Sequence, residues 1–434
     1  MPDASSDVPR ERASARAWYV LALLFLVYCC NVADRHVLSI LAQSIKRDLH
    51  LSDTEIGLLI GPAIAFFYAV LGLPMAYVAD RVHRVRFLAF CLVAWSMFTA
   101  LGGVAAGALQ LAATRLGVSA VEAGGTPTSS SLIADYFPAR SRGLAMGIFA
   151  AAGTIGVLLS FGLGGFANDA WGWRWTLVAA GVPGIVLCAI LLLTVAEPKR
   201  GAHDPSMAVL PAPPFRETIR ILAANPLFRW GVIATGAANF GFHSVLNWGP
   251  SFIIRQFYDG AGKAGSAGFA LGMGIALCGG GVAIFGGGLI SGMSARGMGK
   301  PLRITALLEM LSAPLMLAAL LAPRLDLSVV LMCLSYGCQA FSVPIYFIIA
   351  QSWVPSSVRA TATAIMLLAL AIVGPGIAAP VLGALSDALV PRFGHASLQH
   401  ALMIGTLANL ICALLYWRAA RAADRVAATE HSAA

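Results

Sequence analysis

Long runs of apolar residues, separated by short polar connections, recur along the whole chain. A helix that crosses a bilayer needs about 20 mostly apolar residues. Twelve stretches meet that requirement, at residues 18–43, 54–79, 86–106, 108–135, 142–168, 174–195, 227–256, 266–294, 302–322, 327–353, 358–388 and 398–418. We call them spans 1 to 12. The pattern predicts an all-α membrane protein with twelve transmembrane helices.

One long polar connection divides these spans into two sets of six. The expected organisation is therefore two bundles of six helices with a linker and two tails: 1–17 tail, 18–196 N-terminal half, 197–225 linker, 226–420 C-terminal half, 421–434 tail. If the N-terminus is inside, 20 of the 29 Lys and Arg residues lie on the inner side and 7 on the outer side. Because loops rich in Lys and Arg stay inside, both tails and the linker are predicted to be cytoplasmic.

The composition supports the same class of protein. Of 434 residues, 59% are hydrophobic and 11% are charged, and the mean hydropathy is +0.80. Soluble proteins have about 25% charged residues. The net charge of +9 follows from the loop arginines and lysines and does not indicate nucleic-acid binding. The eight cysteines fall in apolar stretches without metal-ligand spacing, so we expect no metal, no cofactor and no disulfide framework. No cleaved signal peptide is recognisable.

The two halves repeat each other. The segment YFPARSRGLA before span 5 matches WVPSSVRATA before span 11. Pro138 aligns with Pro355 and Arg142 with Arg359, both at an offset of 217 residues. A duplicated set of six helices is a known transporter architecture, with the substrate site between the halves near the middle of the membrane.

Charged residues inside the spans are the strongest functional candidates. Asp34 and Arg35 lie in span 1, and Arg115 and Glu122 lie in span 4. At about 1.5 Å per residue, the antiparallel helices place Arg115 at nearly the depth of Asp34. Such charges are costly in a membrane and mark ion or substrate pathways. A static cluster that only fixes packing is the alternative. We predict Asp34 and Glu122 for proton coupling and Arg35 and Arg115 for substrate binding.

Polar and aromatic side chains in other spans complete the candidate cavity. Span 7 carries a stripe of Asn239, His243 and Asn247, spaced by four residues. The remaining candidate substrate contacts are Phe67, Gln339 and Tyr346. Each polar residue could instead form a hydrogen bond between helices. Glu309 in span 9 is a further acid, which we expect near the cytoplasmic interface.

The loop between spans 2 and 3, AYVADRVHRVR, resembles a signature of the major facilitator superfamily. A second similarity follows in RLGVSAVEAGGTPTSSSLIADYFPARSRG. The resemblance implies the major facilitator fold, with two pseudo-symmetric six-helix bundles that move in alternating access. It also implies a cytoplasmic gate in which Asp80 binds a helix N-terminus of the other half. The other gate candidates are Arg81, Arg84, Arg142 and Arg359.

The segments NVADRHVLSILAQSIKRDLHLSDTEIGLL, TRLGVSAVEAGGTP and SLIADYFPARSRG resemble the Spinster-like branch of that superfamily. The resemblance implies a monomeric, proton-coupled transporter of a lysophospholipid or sphingosine-phosphate-like lipid in a bacterial inner membrane. The same charged residues occur in symporters of sugar acids, so an organic anion is the alternative substrate. A channel would need a continuous polar pore. An enzyme would need a nucleophile motif, metal ligands or a phosphate loop, none of which we recognise.

Overall fold

A computed structural model gives the fold of residues 14–79, 81–200, 214–258, 263–294, 297–352, 354–355 and 358–433. These residues form helices and contain no strand, which confirms the all-α prediction. The helices are α1 (Ala15–Asp48), α2 (Asp53–Ile60), α3 (Pro62–Ala79), α4 (Arg84–Gly102), α5 (Ala108–Glu122), α6 (Gly125–Tyr136), α7 (Ala139–Thr194), α8 (Phe215–Ala224), α9 (Pro226–Phe257), α10 (Ala264–Ile275), α11 (Gly281–Ser294), α12 (Gly299–Leu321), α13 (Leu325–Ala340), α14 (Ser342–Ser352), α15 (Arg359–Ala371), α16 (Ala379–Phe393), α17 (Ser397–Gly405) and α18 (Leu407–Ala433).

Several predicted spans consist of two helices that meet at a break. Helices α2 and α3 meet at Gly61, directly before Pro62, whose ring cannot continue the hydrogen-bond ladder. π-Helical turns at Ala276–Gly280 and Ile372–Ala378 interrupt spans 8 and 11. Six helical stretches of the described residues are long and apolar enough to cross a membrane by length and composition alone. The count of twelve spans and the topology stay predictions.

Predicted spans 5 and 6 fall within one 56-residue helical element, α7. The backbone of Gly172 interrupts it, with φ of 79° and ψ of 167°. A positive φ is accessible to glycine without the steric cost that a side chain would bring. The interruption lies in the WGWRW segment between the two predicted spans.

Buried apolar side chains form three clusters that show how the halves pack. One cluster lies within the N-terminal half and another within the C-terminal half. The third draws on both halves, through α1, α2, α9, α10 and α16. It lies toward the end of the molecule where α1 joins α2, which we call the outer end because the sequence predicts that it faces outward. The halves are therefore packed together at the outer end and have separate cores at the opposite end.

Two glycines allow this close packing of the halves at the outer end. A Cβ atom at Gly57 on α2 would lie 2.5 Å from the carbonyl oxygen of Ala379 on α16. A Cβ atom at Gly268 on α10 would lie 2.2 Å from the carbonyl oxygen of Phe161 on α7. Both distances are far below van der Waals contact, so only glycine fits at these crossings.

Candidate functional site

A cavity of about 610 Å³ lies between the two halves. Helices α1, α7, α9, α13 and α14 and both π-helical turns contribute to its wall. Five predicted substrate-binding residues line it: Arg35, Asn239, His243, Asn247 and Tyr346. Most of the other lining side chains are apolar or aromatic. The cavity therefore has a mainly apolar wall with a small number of polar groups, which is typical of sites for small molecules.

The four charged residues of spans 1 and 4 come together beside this cavity, and we call them the charge cluster. Asp34 is 3% exposed, Arg115 is 4% exposed and Glu122 is 1% exposed. The Nη2 atom of Arg35 lies 3.5 Å from Oε2 of Glu122. Arg35 also donates a hydrogen bond of 3.0 Å to the Asn31 side chain. Arg35 is the member of the cluster that lines the cavity, while the two acids lie behind it.

The side chain of Arg115 joins the charge cluster by a hydrogen bond to the backbone of Asp34. Its Nη2 atom donates a hydrogen bond of 2.9 Å to the carbonyl oxygen of Asp34. Its Nη1 atom and Oε1 of Glu122 are buried without a hydrogen-bond partner in the described part of the chain. Unsatisfied buried polar atoms are costly. The hydrogen-bonding groups of the cluster are therefore only partly satisfied in this conformation, and a proton on an acid or a rearranged arginine would satisfy more of them.

The stripe on α9 faces the cavity as predicted from its spacing, and α15 and the turn after it pack against the stripe. Asn239 donates a hydrogen bond of 2.6 Å to the carbonyl oxygen of Leu370. A Cβ atom at Gly374 would lie 2.4 Å from Nδ2 of Asn239 and 2.8 Å from Nδ1 of His243. The side chain of Asn247 is buried and its amide nitrogen has no partner among the described residues. This amide is thus a donor available to a ligand.

Three predicted substrate contacts lie outside the cavity wall. Arg115 is buried behind Asp34, and Phe67 is partly buried on α3 but is not among the lining residues. Gln339 is 1% exposed and bonds to Ser335 on its own helix. Glu309 is fully buried in the middle of α12. Its expected position near the cytoplasmic interface stays a prediction.

The lining residues that sequence reasoning missed include Tyr28, His36 and Phe242. Tyr28 precedes Arg35 by seven residues, so it shares the cavity-facing side of α1. That spacing could have identified it. Phe242 stacks on Tyr336 of α13, with 4.3 Å between the ring centroids. Nothing in the sequence pairs these two rings, because they come from helices that meet only in the fold.

An ion-pair network at the outer end joins the two halves and was also missed. Arg255 at the end of α9 bonds to both carboxylate oxygens of Asp53, at 2.5 and 2.8 Å. Lys46 contacts the same carboxylate at 2.5 Å, and Ser386 of α16 donates to it at 2.7 Å. Burial opposes ionisation of Asp53, but the bonds from Arg255 and Lys46 outweigh it and hold the pKa of Asp53 well below its usual range.

Two further aspartates cap helices across the boundary between the halves. Asp387 of α16 accepts hydrogen bonds from the backbone N–H groups of Asp53 and Thr54, at 3.0 and 2.8 Å. Asp169 of α7 accepts bonds from Ala264 and Gly265 at the start of α10, at 3.0 and 2.8 Å. Carboxylates are favoured at helix N-termini, where backbone donors lack partners. We call these two caps and the Asp53–Arg255 pair the outer closure.

The two capping aspartates stand at equivalent positions of the repeat. Asp387 follows Asp169 by 218 residues, within one residue of the offset between the matched segments. Asp169 directly follows span 5 and Asp387 lies at the end of span 11, and each caps a helix of the other half. This repeat-related position is the sequence signal that could have identified them.

The predicted cytoplasmic gate stays a prediction, and in this conformation the described contacts of Arg84 and Arg81 are local. Arg84 is 1% exposed and binds Asp135 at 2.5 Å and Glu197 at 2.7 Å, all within the N-terminal half and the start of the linker. All of its polar contacts among the described residues lie within that half and the start of the linker. Arg81 contacts Tyr77.

Of the remaining gate residues, two can be located in the described part of the chain and one cannot. Arg142 donates to the carbonyl oxygen of Ala134 at 2.9 Å, within its own half. Arg359 is exposed at the start of α15. Asp80 lies outside the described residues, so its predicted bond to a helix N-terminus stays a prediction.

Known proteins similar to this chain are transporters. The profile of the Major Facilitator Superfamily matches residues 24–379. An MFS-type efflux pump of Mycolicibacterium smegmatis is 30% identical over 426 residues, which cover 96% of each protein. The probable galactarate/D-glucarate transporter GudP of Bacillus subtilis is 32% identical over 46% of this chain and 45% of its own length. Human Protein spinster homolog 1 is 29% identical over 56% of this chain and 46% of its own length.

Solved structures give the same result for the fold. A bacterial homolog of the human lysosomal transporter Spinster, in an inward-facing and unoccupied conformation, superposes with a TM-score of 0.85. It is 26% identical and covers 95% of this chain and 99% of that structure. The occupied inward-facing form gives a TM-score of 0.81 at 25% identity. Together with the match over residues 24–379, these similarities show that the chain belongs to the Major Facilitator Superfamily and is a Spinster-like membrane transporter, not an enzyme.

Proposed function

We propose that this protein is a proton-coupled secondary transporter of an amphipathic anionic or zwitterionic lipid, such as a lysophospholipid or a sphingosine-phosphate-like molecule. One observation carries the proposal: Arg35 lines the central cavity and also pairs with the buried Glu122. The same guanidinium group can therefore hold the anionic group of a substrate or the buried acid. Proton binding and substrate binding share one cation.

The direction of coupling follows from this competition. A substrate anion that binds Arg35 draws the guanidinium away from Glu122. An acid that loses its cation takes up a proton more readily. By linkage, a protonated Glu122 leaves Arg35 available and strengthens substrate binding. Substrate and proton therefore bind together, which is symport. Asp34 lies in the same charge cluster, within electrostatic range of Glu122, and shares this role.

The lining favours a lipid over a sugar acid. Side chains such as Val32, Leu246 and Ile275 and the stacked rings of Phe242 and Tyr336 cover much of the wall. They suit an acyl chain, because burial of apolar surface drives its binding. A sugar acid has several hydroxyl groups that need hydrogen-bond partners. It remains the second candidate, because GudP-type transporters are among the relatives.

The conformation supports alternating access by rocking of residues 18–196 against residues 226–420. The outer closure joins the halves at one end, while their cores are separate at the other end. We propose that this is the inward-facing state and that the outward-facing state breaks the outer closure. Asp80 and the arginines near it would then form the cytoplasmic gate. We further propose that the protein lies in a bacterial plasma membrane and acts as a monomer.

Uptake into proteoliposomes tests this function. A labelled lysophospholipid and a labelled sugar acid are offered to wild type and Asp34→Asn, with and without a pH gradient. We expect wild type to accumulate the lipid in response to the gradient and Asp34→Asn to lose that response while still exchanging substrate. If wild type accumulated the sugar acid and not the lipid, the substrate would be an organic anion. If the pH gradient drove equal uptake by Asp34→Asn and wild type, Asp34 would have no role in coupling.

A further inference from the structure

The C-terminal half contains a buried acid that the charge cluster does not explain. Glu309 is 0% exposed and lies ten residues into α12, about 15 Å along the helix axis. Both of its carboxylate oxygens are buried without a hydrogen-bond partner among the described residues. In the described part of the chain it takes part in no ion pair. Its environment differs in this respect from that of Glu122, which has Arg35.

The groups around Glu309 are polar but uncharged. The titratable side chains close enough to interact with it electrostatically are Cys338 on α13 and Cys412 and Tyr416 on α18. One turn along α12, Ser312 accepts a hydrogen bond of 2.9 Å from Asn409 and donates to the backbone of Glu309. None of these groups supplies a positive charge. An unpaired carboxylate here would be strongly destabilised, so these surroundings favour the neutral form of the acid.

Three buried hydroxyl groups lie near this acid or at the wall of the central cavity, although Oη of Tyr416, Oγ1 of Thr235 and both oxygens of Glu309 make no hydrogen bond among the described residues in this conformation. The side chain of Tyr416 is fully buried, within electrostatic range of Glu309, and its hydroxyl lies beside those of Thr235 and Ser342. Thr235 and Ser342 both line the cavity. Hydroxyl groups both donate and accept hydrogen bonds, so they can relay a proton. The three groups belong to α9, α14 and α18, and a relay through them to α12 requires their side chains to rotate into hydrogen-bond contact.

We propose that Glu309 is a second proton-binding site, loaded from the central cavity through Tyr416, Thr235 and Ser342. Its ligand is a proton and not an organic anion, because no cation accompanies the acid. The inference goes beyond the proposed function, since it concerns the other half of the molecule and needs neither Asp34 nor the substrate. Intramembrane acids are costly, and a transport role for this one accounts for its presence.

Infrared difference spectroscopy of the full-length protein in lipid nanodiscs tests this proposal without substrate. A protonated carboxyl group has a C=O stretching band that is separate from those of carboxylates. We expect a band at neutral pH that Glu309→Gln removes and that Glu217→Gln, at a half-exposed acid of α8, leaves unchanged. The band should shift in D₂O and disappear reversibly at alkaline pH. Tyr416→Phe should keep the band but slow its exchange about tenfold or more.

Two results would overturn the proposal. A spectrum that Glu309→Gln does not change at neutral pH would mean that Glu309 is ionised. A band that neither exchanges in D₂O nor titrates while the protein stays folded would make it a static acid. If Glu309→Gln does not fold, titration of wild type and exchange in Tyr416→Phe decide the matter. Because no transport is measured, failure of the proposed lipid symport would leave these outcomes unaffected.

Discussion

The side chains of Arg35 and Glu122 meet 3.5 Å apart, between Nη2 and Oε2, with Arg35 at the cavity wall and Glu122 behind it. The pair spans two helices, α1 and α5, whose charged residues are 87 positions apart in the chain. Arg35 is 21% exposed and Glu122 is 1% exposed. The arginine can therefore exchange its partner for a ligand, while the acid does not itself line the cavity.

Removing either partner should separate substrate binding from proton coupling. Glu122→Gln leaves Arg35 available at every pH, so we expect substrate exchange to continue and pH-driven accumulation to be lost. Arg35→Gln should weaken binding of the anion about tenfold or more, because it removes a charge-assisted hydrogen bond. Binding titrations at two pH values and proteoliposome uptake measure both effects. Arg47→Gln, at an exposed cation of the same helix, serves as the control. If Glu122→Gln still accumulates substrate in response to a pH gradient, the Arg35–Glu122 pair has no role in coupling.

The two capping aspartates should hold the outer end closed. Each cap is worth about 0.5–2 kcal/mol, so replacing Asp169 and Asp387 by alanine together should shift the population toward an open outer end by roughly tenfold or more. Spin labels at Leu109 and Arg324, exposed positions of the two halves, report the distance between them in a variant with its native cysteines replaced.

Asp48→Ala is the matched control for the double cap variant. Asp48 also lies at the outer end but pairs with Arg174 of its own half. If the distances between the spin labels were the same in the double variant and in wild type, the caps would form when the outer end closes but would not stabilise the closed state.

The outer closure should tolerate mild acid. The pKa of Asp53 lies below its ordinary value of about 3.9 because Arg255 and Lys46 outweigh the effect of burial. A depressed pKa contributes stability that is complete above the ordinary value and is lost as pH falls toward the lower one. The same spin labels, in a background of Asp34→Asn and Glu122→Gln, should show a closed outer end down to about pH 4. Asp53→Asn should open it at neutral pH. If the outer end of this background variant opened with a midpoint above about pH 5, the Asp53–Arg255 pair could not be the ionised contact that holds it closed.

Arg84 should stabilise the N-terminal half and should not act as a gate in this conformation. Arg84→Gln breaks the buried ion pair with Asp135 and removes the bond to Glu197, and breaking a buried ion pair costs about 3–5 kcal/mol. We expect a clearly lower unfolding temperature in detergent, whereas Arg86→Gln, at an exposed arginine of the same helix, should have little effect. If Arg84→Gln changed the transport rate but not the unfolding temperature, the gate prediction would stand instead.

Local signals in the sequence account for much of the candidate site. The spacing of Asn239, His243 and Asn247 places them on one side of a helix whatever its neighbours are, and that side faces the cavity. The Asp34–Arg35 pair is conspicuous because an apolar span tolerates few charges. Gln339 satisfied the same criteria, yet the structure turns it toward Ser335. Helical spacing gives the direction in which a side chain points around the helix axis. It does not show whether that side chain faces the cavity or a neighbouring helix.

The sequence by itself determined the all-helical membrane class, the repeat and the charged residues of spans 1 and 4. These depend on the length of apolar runs and on the cost of charge in a membrane, which act along a single helix. Only the tertiary structure decided that Arg35 and not Arg115 reaches the cavity, that Asp169 and Asp387 cap helices of the opposite half, and that Glu309 lacks a cation. Those properties depend on contacts between helices distant in the chain, because a charge is stabilised by whatever surrounds it in space.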